Sequence, residues 1–150
     1  MKIVQWSLRP SVPDDLHFVF QLNKQNMRHY VEKIRGWDDE AEWQDMKSKF
    51  QPGHDRIIVV GKEDSGVLAV DTTDKEIFLR HIELLPRYHN IGIGTMLIQQ
   101  LLNRSKKTGR SVRLTVLKDN PAVRLYQRLG FVITKKMPLK YEMTAKPTSR

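Results

Sequence analysis

The sequence predicts a single mixed α/β domain with its elements in the order β-α-α-β-β-β-α-β-α-β-β. Three observations predict it. Apolar residues recur near every 3.6 positions in the first third, give way to β-rich runs from Arg56, and return to helical spacing after Gly92. Residues 76–117 then read as strand, glycine-bearing turn, helix and strand, the order of a crossover unit with parallel strands. A chain of 150 residues is also the size of one ordinary domain with a real core. Residues 1–145 are assigned to that domain and 146–150 to a flexible tail.

Each element has a local reason. Residues 3–9 alternate weakly as a first strand that Pro10 closes. Ser11-Val12-Pro13-Asp14 opens a helix, with Ser11 as its expected cap and acidic residues favoured by the dipole. Leu16, Val19, Phe20, Met27, Val31 and Ile34 carry that helix over residues 13–34, up to Gly36. Asp38 or Asp39 caps a second helix, with Trp43, Met46 and Phe50 on one face, before Pro52-Gly53 stops it. Residues 57–60 and 67–70 are strands joined by a polar loop over residues 61–66, and a third strand spans residues 76–85. The next helix, residues 92–107, is apolar at Ile93, Met96, Leu97, Leu101 and Leu102, with Gly109 where a left-handed cap belongs. Residues 111–117 form a strand, residues 121–129 a helix ending at Gly130, and residues 131–133 and 139–143 the last two strands.

Composition bounds the function. Apolar residues at 39% and charged residues at 29% describe a globular protein, and no run approaches the ~20 apolar residues of a membrane span. The N-terminus lacks the apolar core of a secretory signal. The chain has no cysteine, so it has no disulfide, thiol nucleophile or thiolate metal site, in keeping with a cytoplasmic protein. The net charge of +9 is dispersed rather than gathered on one basic and aromatic face, which argues against a nucleic-acid partner. Arg104, Lys106, Lys107 and Arg110 sit where a helix ends and offset its dipole.

Two stretches carry chemistry. From Leu84 to Leu97 an apolar strand passes through a polar turn with glycines at 92 and 94 into a helix. The helix's first N–H groups have no partner within it, and the missing Cβ atoms let a phosphate approach the backbone. A dinucleotide fingerprint is not met, because its third glycine position is Leu97. A triphosphate loop is excluded, since no Gly-Lys-Ser or Gly-Lys-Thr occurs. A turn that uses glycine only for packing has the same spacing. The second stretch, residues 120–131, is a capped short helix with Tyr126 near its end, a glycine stop and an aromatic strand start. Alone, it reads equally as ordinary packing around a half-buried tyrosine.

Together, Pro86-x-x-His89-x-x-Gly92-x-Gly94 and Asn120-x-Ala122-x-x-Leu125-Tyr126-x-x-x-Gly130-Phe131, in that element order, resemble the GNAT family of N-acetyltransferases. The resemblance spans nearly the whole chain and implies a splayed central sheet and acetyl-coenzyme A as co-substrate, with no metal. It implies that the pyrophosphate sits on Asn90, Ile91, Gly92, Ile93, Gly94 and Thr95. The pantetheine would pair with the strand edge at Leu84 and Leu85, and Asn120, Ala122 and Tyr126 would line the same coenzyme. His89 departs from the family, which has Gln or Arg there, but it can still donate to a phosphate, and Arg87 is nearby.

Acetyl transfer to an amine needs a neutral nucleophile, a stabilised oxyanion and a tolerated thiolate. A lysine-like amine, with a pKa of about 10.4, is almost wholly protonated at pH 7, so a proton acceptor matters. The resemblance makes Tyr126 the general acid. A backbone N–H near Leu84 is the expected oxyanion donor. Glu83, a carboxylate in the apolar run Ile82-Glu83-Leu84-Leu85, is the preferred base, and His81, of the same strand parity, is the second candidate. Glutamates used by some relatives correspond to Phe78 and Thr115, so the resemblance itself leaves the base open, water included. Glu83 with Tyr30 and Trp37 is expected to bind an amine-bearing small molecule or peptide, helped by His29, Glu32, Asp38, Glu40 and Trp43. A non-catalytic coenzyme-binding module is the alternative function, and a monomer or homodimer the expected assembly.

Overall fold

A computed structural model describes residues 5–148. Its elements run β1 (Trp6–Pro10), α1 (Asp15–Arg35), α2 (Asp39–Lys49), β2 (Arg56–Val60), β3 (Glu63–Thr72) and β4 (Glu76–Leu84). A 3-10 turn (Pro86–Tyr88) precedes α3 (Ile93–Thr108), β5 (Ser111–Leu117), α4 (Ala122–Arg128), β6 (Val132–Lys136) and β7 (Lys140–Ala145). The predicted order of elements is the observed one. The strands follow the hydrogen-bonded order β1-β2-β3-β4-β5-β7-β6. β4 and β5 are parallel, from Glu76↔Ser111 to Leu79↔Leu114, as the crossover reading requires. The pairs β1/β2, β2/β3, β5/β7 and β6/β7 are antiparallel, so the sheet is mixed.

Several local expectations are corrected. Ile3 and Val4, placed in the first strand, lie outside the described residues, and Pro10 belongs to β1 rather than closing it, opposite Arg56. β1 is the outer strand, where a residue without an N–H costs no ladder bond. The loop expected over residues 61–66 shrinks to Gly61-Lys62, with Gly61 at φ 62°, because Glu63 already pairs with Val60. A register shift between Ile58 and Val59 absorbs the extra residue. Ser11 does not cap α1. Its hydroxyl accepts from the Gly53 N–H at 3.2 Å, while Asp15 reaches back to the Val12 N–H at 2.8 Å. Met96, expected on the apolar face of α3, is 52% exposed, and Ile98 is buried in its place. Residues 146–148 are in no helix or strand, and 149–150 lie outside the description. Among the described residues no helix is long and apolar enough to cross a membrane.

The chain divides into two compact units, Met1–Ala69 with His81–Gly94, and Val70–Arg80 with Thr95–Arg150. In the first, Val19, Leu22, Ile57 and Val67 form a buried cluster against which Phe18, Met46, Phe50, Val59 and Leu85 pack. At the start of α1, the Arg9 guanidinium holds both oxygens of Asp15 at 2.9 Å and also binds Asp64. These bonds from Arg9 keep the Asp15 carboxyl below its ordinary 3.8, against the opposing effect of burial. A depressed folded-state pKa stabilises the fold above the unfolded value, and that stabilisation is lost as pH falls through the folded value. Melting temperature should therefore drop as pH falls below about 4. Asp15→Asn should melt lower at neutral pH and show a flatter acid limb in calorimetry.

In the second unit, β5 alternates. Val112, Leu114 and Val116 are buried, and Arg113 faces the other way. Arg113 binds Glu76 of β4 at 2.9 Å and Glu142 of β7 at 3.3 Å, and its guanidinium lies 4.1 Å from the Phe78 ring centroid. One planar cation thus ties three strands together.

Candidate active site

Glu83 sits near the end of β4, and its carboxylate is fixed from two directions. From α1, Asn23 Nδ2 donates to Oε1 at 2.6 Å and Asn26 Nδ2 reaches Oε2 at 3.4 Å. From β4 itself, His81 Nε2 lies 2.9 Å from Oε1. A carboxylate oxygen accepts, so this nitrogen carries the proton. Strand parity puts His81 and Glu83 on one side of β4, as the sequence implies, and helical spacing puts Asn23 and Asn26 on one face of α1. The sequence reading did not single out the two asparagines. Their signal was present, since residues 19, 23, 26 and 30 recur at core-stripe spacing and two of them are asparagines.

The same helix secures the following backbone. Asn26 Nδ2 donates to the Leu84 carbonyl at 2.8 Å, and the Leu85 N–H donates to the Ser65 carbonyl at 2.8 Å. Gly66 lies against this segment so closely that an added Cβ would stand 2.4 Å from the Glu83 carbonyl oxygen. This glycine, read from sequence as part of a loop, is buried in β3.

The turn after β4 has the shape the sequence suggests. Leu85 leads into Pro86–Tyr88, Asn90 takes a left-handed φ of 60°, Gly92 has φ 97°, and α3 starts at Ile93. A Cβ on either Gly92 or Gly94 would meet nothing within 4 Å, and the first N–H groups of a helix have no partner within it. Such an arrangement fits a phosphate of a coenzyme. Two side chains expected to help are otherwise engaged. His89 Nε2 donates to the Leu84 carbonyl at 2.7 Å, so the neutral ring keeps only a lone pair at Nδ1. Arg87 pairs with Glu63, which also accepts from the Tyr88 hydroxyl at 2.7 Å.

Asn120 starts the second motif by accepting from the Ala122 N–H at 2.9 Å, and α4 brings Tyr126 into the second unit with 8% exposure. The Tyr126 ring meets Phe131 edge-on, with centroids 5.8 Å apart. Phe78, where some relatives carry a base, is covered by Arg113, and Thr115 is exposed opposite Glu142. Neither supplies a carboxylate.

The expected acceptor residues are brought together only in part. Trp37 and Trp43 both approach Phe20, with centroids 6.4 and 5.3 Å away, whereas Tyr30 stacks on His29 at 3.9 Å. The nearby carboxylates are largely neutralised within the chain. Asp39 pairs with Lys24, Glu42 with Arg35 and Glu32 with Arg28, while Glu40 accepts from Gln44.

A sequence profile of the Acetyltransferase (GNAT) family matches residues 16–131. The chain belongs to the GNAT acetyltransferase family. No curated protein sequence matches this GNAT chain, but solved structures do. PaiA N-acetyltransferase from Thermoplasma acidophilum, in complex with coenzyme A, is 17% identical, with a TM-score of 0.72 over 95% of this chain and 99% of that one. Naa50 from Arabidopsis thaliana, in complex with the bisubstrate analogue CoA-Ac-MVNAL, is 20% identical, with a TM-score of 0.63 over 94% and 98%. An acetyltransferase from Thermus thermophilus is 17% identical, with a TM-score of 0.72 over 99% and 100%. At these identities the likeness is one of fold.

Proposed function

We propose that this GNAT protein is an N-acetyltransferase that moves the acetyl group of acetyl-coenzyme A to a primary amine of a small molecule or peptide by direct attack. Tyr126 is the general acid. Glu83 is the centre of the general base, acting directly or through an intermediary such as water. Asn90 to Thr95 would hold the pyrophosphate through backbone N–H groups, Leu84 and Leu85 the pantetheine, and Asn120 and Ala122 the adjoining part of the coenzyme. Glu83, Tyr30 and Trp37 would contact the acceptor. The reading places the enzyme in the cytoplasm, as a monomer or homodimer.

The observation that carries this reading is the Glu83 carboxylate, 10% exposed and held by three donors, followed in the chain by a turn with free space at Gly92 and Gly94. A buried carboxylate costs several kcal/mol unless its oxygens are satisfied, so a site that orders one has a use for its charge. The coenzyme-bound PaiA protein and the analogue-bound Naa50 support the choice of donor and of a peptide-like amine.

Purified protein with acetyl-coenzyme A and a panel of amines and short peptides should release free thiol. Calorimetry should detect coenzyme binding that Gly94→Ala weakens about 10-fold, a loss of roughly 1.4 kcal/mol, by placing a methyl group over the turn. No thiol from any acceptor and no coenzyme binding would overturn the reading. Tight binding without turnover would favour the non-catalytic module, to which the loss of a carboxylate at Phe78 and Thr115 points.

A further inference from the structure

We propose that the proton of the acceptor amine is taken by Nδ1 of His81, and that Glu83 works through this ring as its positioning residue. The inference rests on the N-acetyltransferase reading above and specifies which atom of the basic centre acts. His81 Nε2 donates to Glu83 Oε1 at 2.9 Å, which fixes the neutral tautomer and leaves the lone pair on Nδ1. Among the described residues Nδ1 has no hydrogen-bond partner.

Access and saturation point the same way. The His81 side chain is 19% exposed against 10% for Glu83, so the ring is the more reachable of the pair. Glu83 Oε1 already accepts from both Asn23 and His81, and Oε2 lies beside Asn26. A carboxylate held by three donors suits orientation and charge compensation better than collecting a proton. A neutral imidazole nitrogen with a free lone pair can accept a proton directly.

Glu83 is the ring's bonded titratable partner on β4, and α1 presents the neutral Asn23 and Asn26 to that carboxylate. As the proton leaves the amine for Nδ1, the nitrogen lone pair forms the C–N bond to the acetyl carbon. The C–S bond then breaks, its electron pair goes to the sulfur, and the thiolate takes the Tyr126 hydroxyl proton, which solvent replaces. The imidazolium so formed is stabilised by ionised Glu83, which keeps its charge throughout, and the proton passes on to solvent. Asn23 and Asn26 act one step further back, by holding Glu83.

Two measurements test this. In kcat/KM against pH, His81→Asn should lower the plateau about 10²-fold and abolish the acid limb. Glu83→Gln should lower it about 10-fold and leave that limb in place. A limb that survives His81→Asn and vanishes in Glu83→Gln would overturn the proposal and make Glu83 itself the base. Independently of turnover, nitrogen NMR of His81 should show the Nε2–H tautomer in the native protein. An Nδ1–H tautomer would overturn the proposal even if the enzyme is active. A silent amine panel with the expected tautomer would instead sink the acetyltransferase reading on which the proposal rests.

Discussion

Gly66→Ala is expected to destabilise the protein by about 1–3 kcal/mol, the range for forcing a methyl group into a filled space, and to lower kcat/KM about 10²-fold. The new Cβ would stand 2.4 Å from the Glu83 carbonyl oxygen, 2.9 Å from Leu84 Cδ2 and 3.1 Å from Ile58 Cδ1. The first of these is backbone and cannot rotate away. Relief therefore has to come from moving β4 at Glu83 and Leu84. That is where Asn26 holds the Leu84 carbonyl and Ser65 holds the Leu85 N–H. Displacing this backbone drags the Glu83 carboxylate off Asn23 and His81. Denaturant unfolding and steady-state kinetics on one preparation would measure both effects. A variant with native stability and native kcat/KM would show that β3 and β4 do not approach as closely as described.

Tyr126→Phe is expected to lower kcat about 10²-fold, the lower end of the usual range for a general acid, while coenzyme Kd changes less than about twofold. The lower end applies because a thiolate is a fair leaving group, with a thiol pKa near 8.5, and needs less help than an alkoxide. The Tyr126 ring packs edge-on against Phe131, and its carbonyl accepts from the Phe131 and Leu129 N–H groups. Phenylalanine preserves these three contacts. Single-turnover kinetics with calorimetry separates the roles. Equal losses in kcat and coenzyme affinity would make Tyr126 a binding and packing residue.

Much of this was legible in the chain. Period and punctuation located every helix, because amphipathic spacing and terminal glycines act within a few residues. Gly36, Gly53, Gly109 and Gly130 all take the positive φ that a helix end or a turn demands. The β2–β3 hairpin was drawn too loosely because Glu63-Asp64-Ser65-Gly66 has loop composition. Pairing with β2 overrides that composition, since burying an apolar ladder outweighs weak local preference. The Ser11 cap failed for a similar reason. Residues 51–55 fold back onto Ser11 through Gly53 and Asp55, and Asp15 answers the helix N-terminus instead.

By itself the sequence determined the element order, the parallel crossover around the glycine turn, and the two motifs whose spacing marks the GNAT family. All of these are encoded in residues close together along the chain, where propensity, periodicity and turn chemistry are set. Only the tertiary structure decided how the side chains of the Leu84 to Leu97 turn are engaged. His89 and Arg87 are drawn to Leu84 and Glu63. It also decided the company of Glu83, since Asn23 and Asn26 lie 60 and 57 positions away in sequence. Hydrogen bonds depend on distance in space, and no local pattern records which distant side chain will meet a buried carboxylate once α1 has packed.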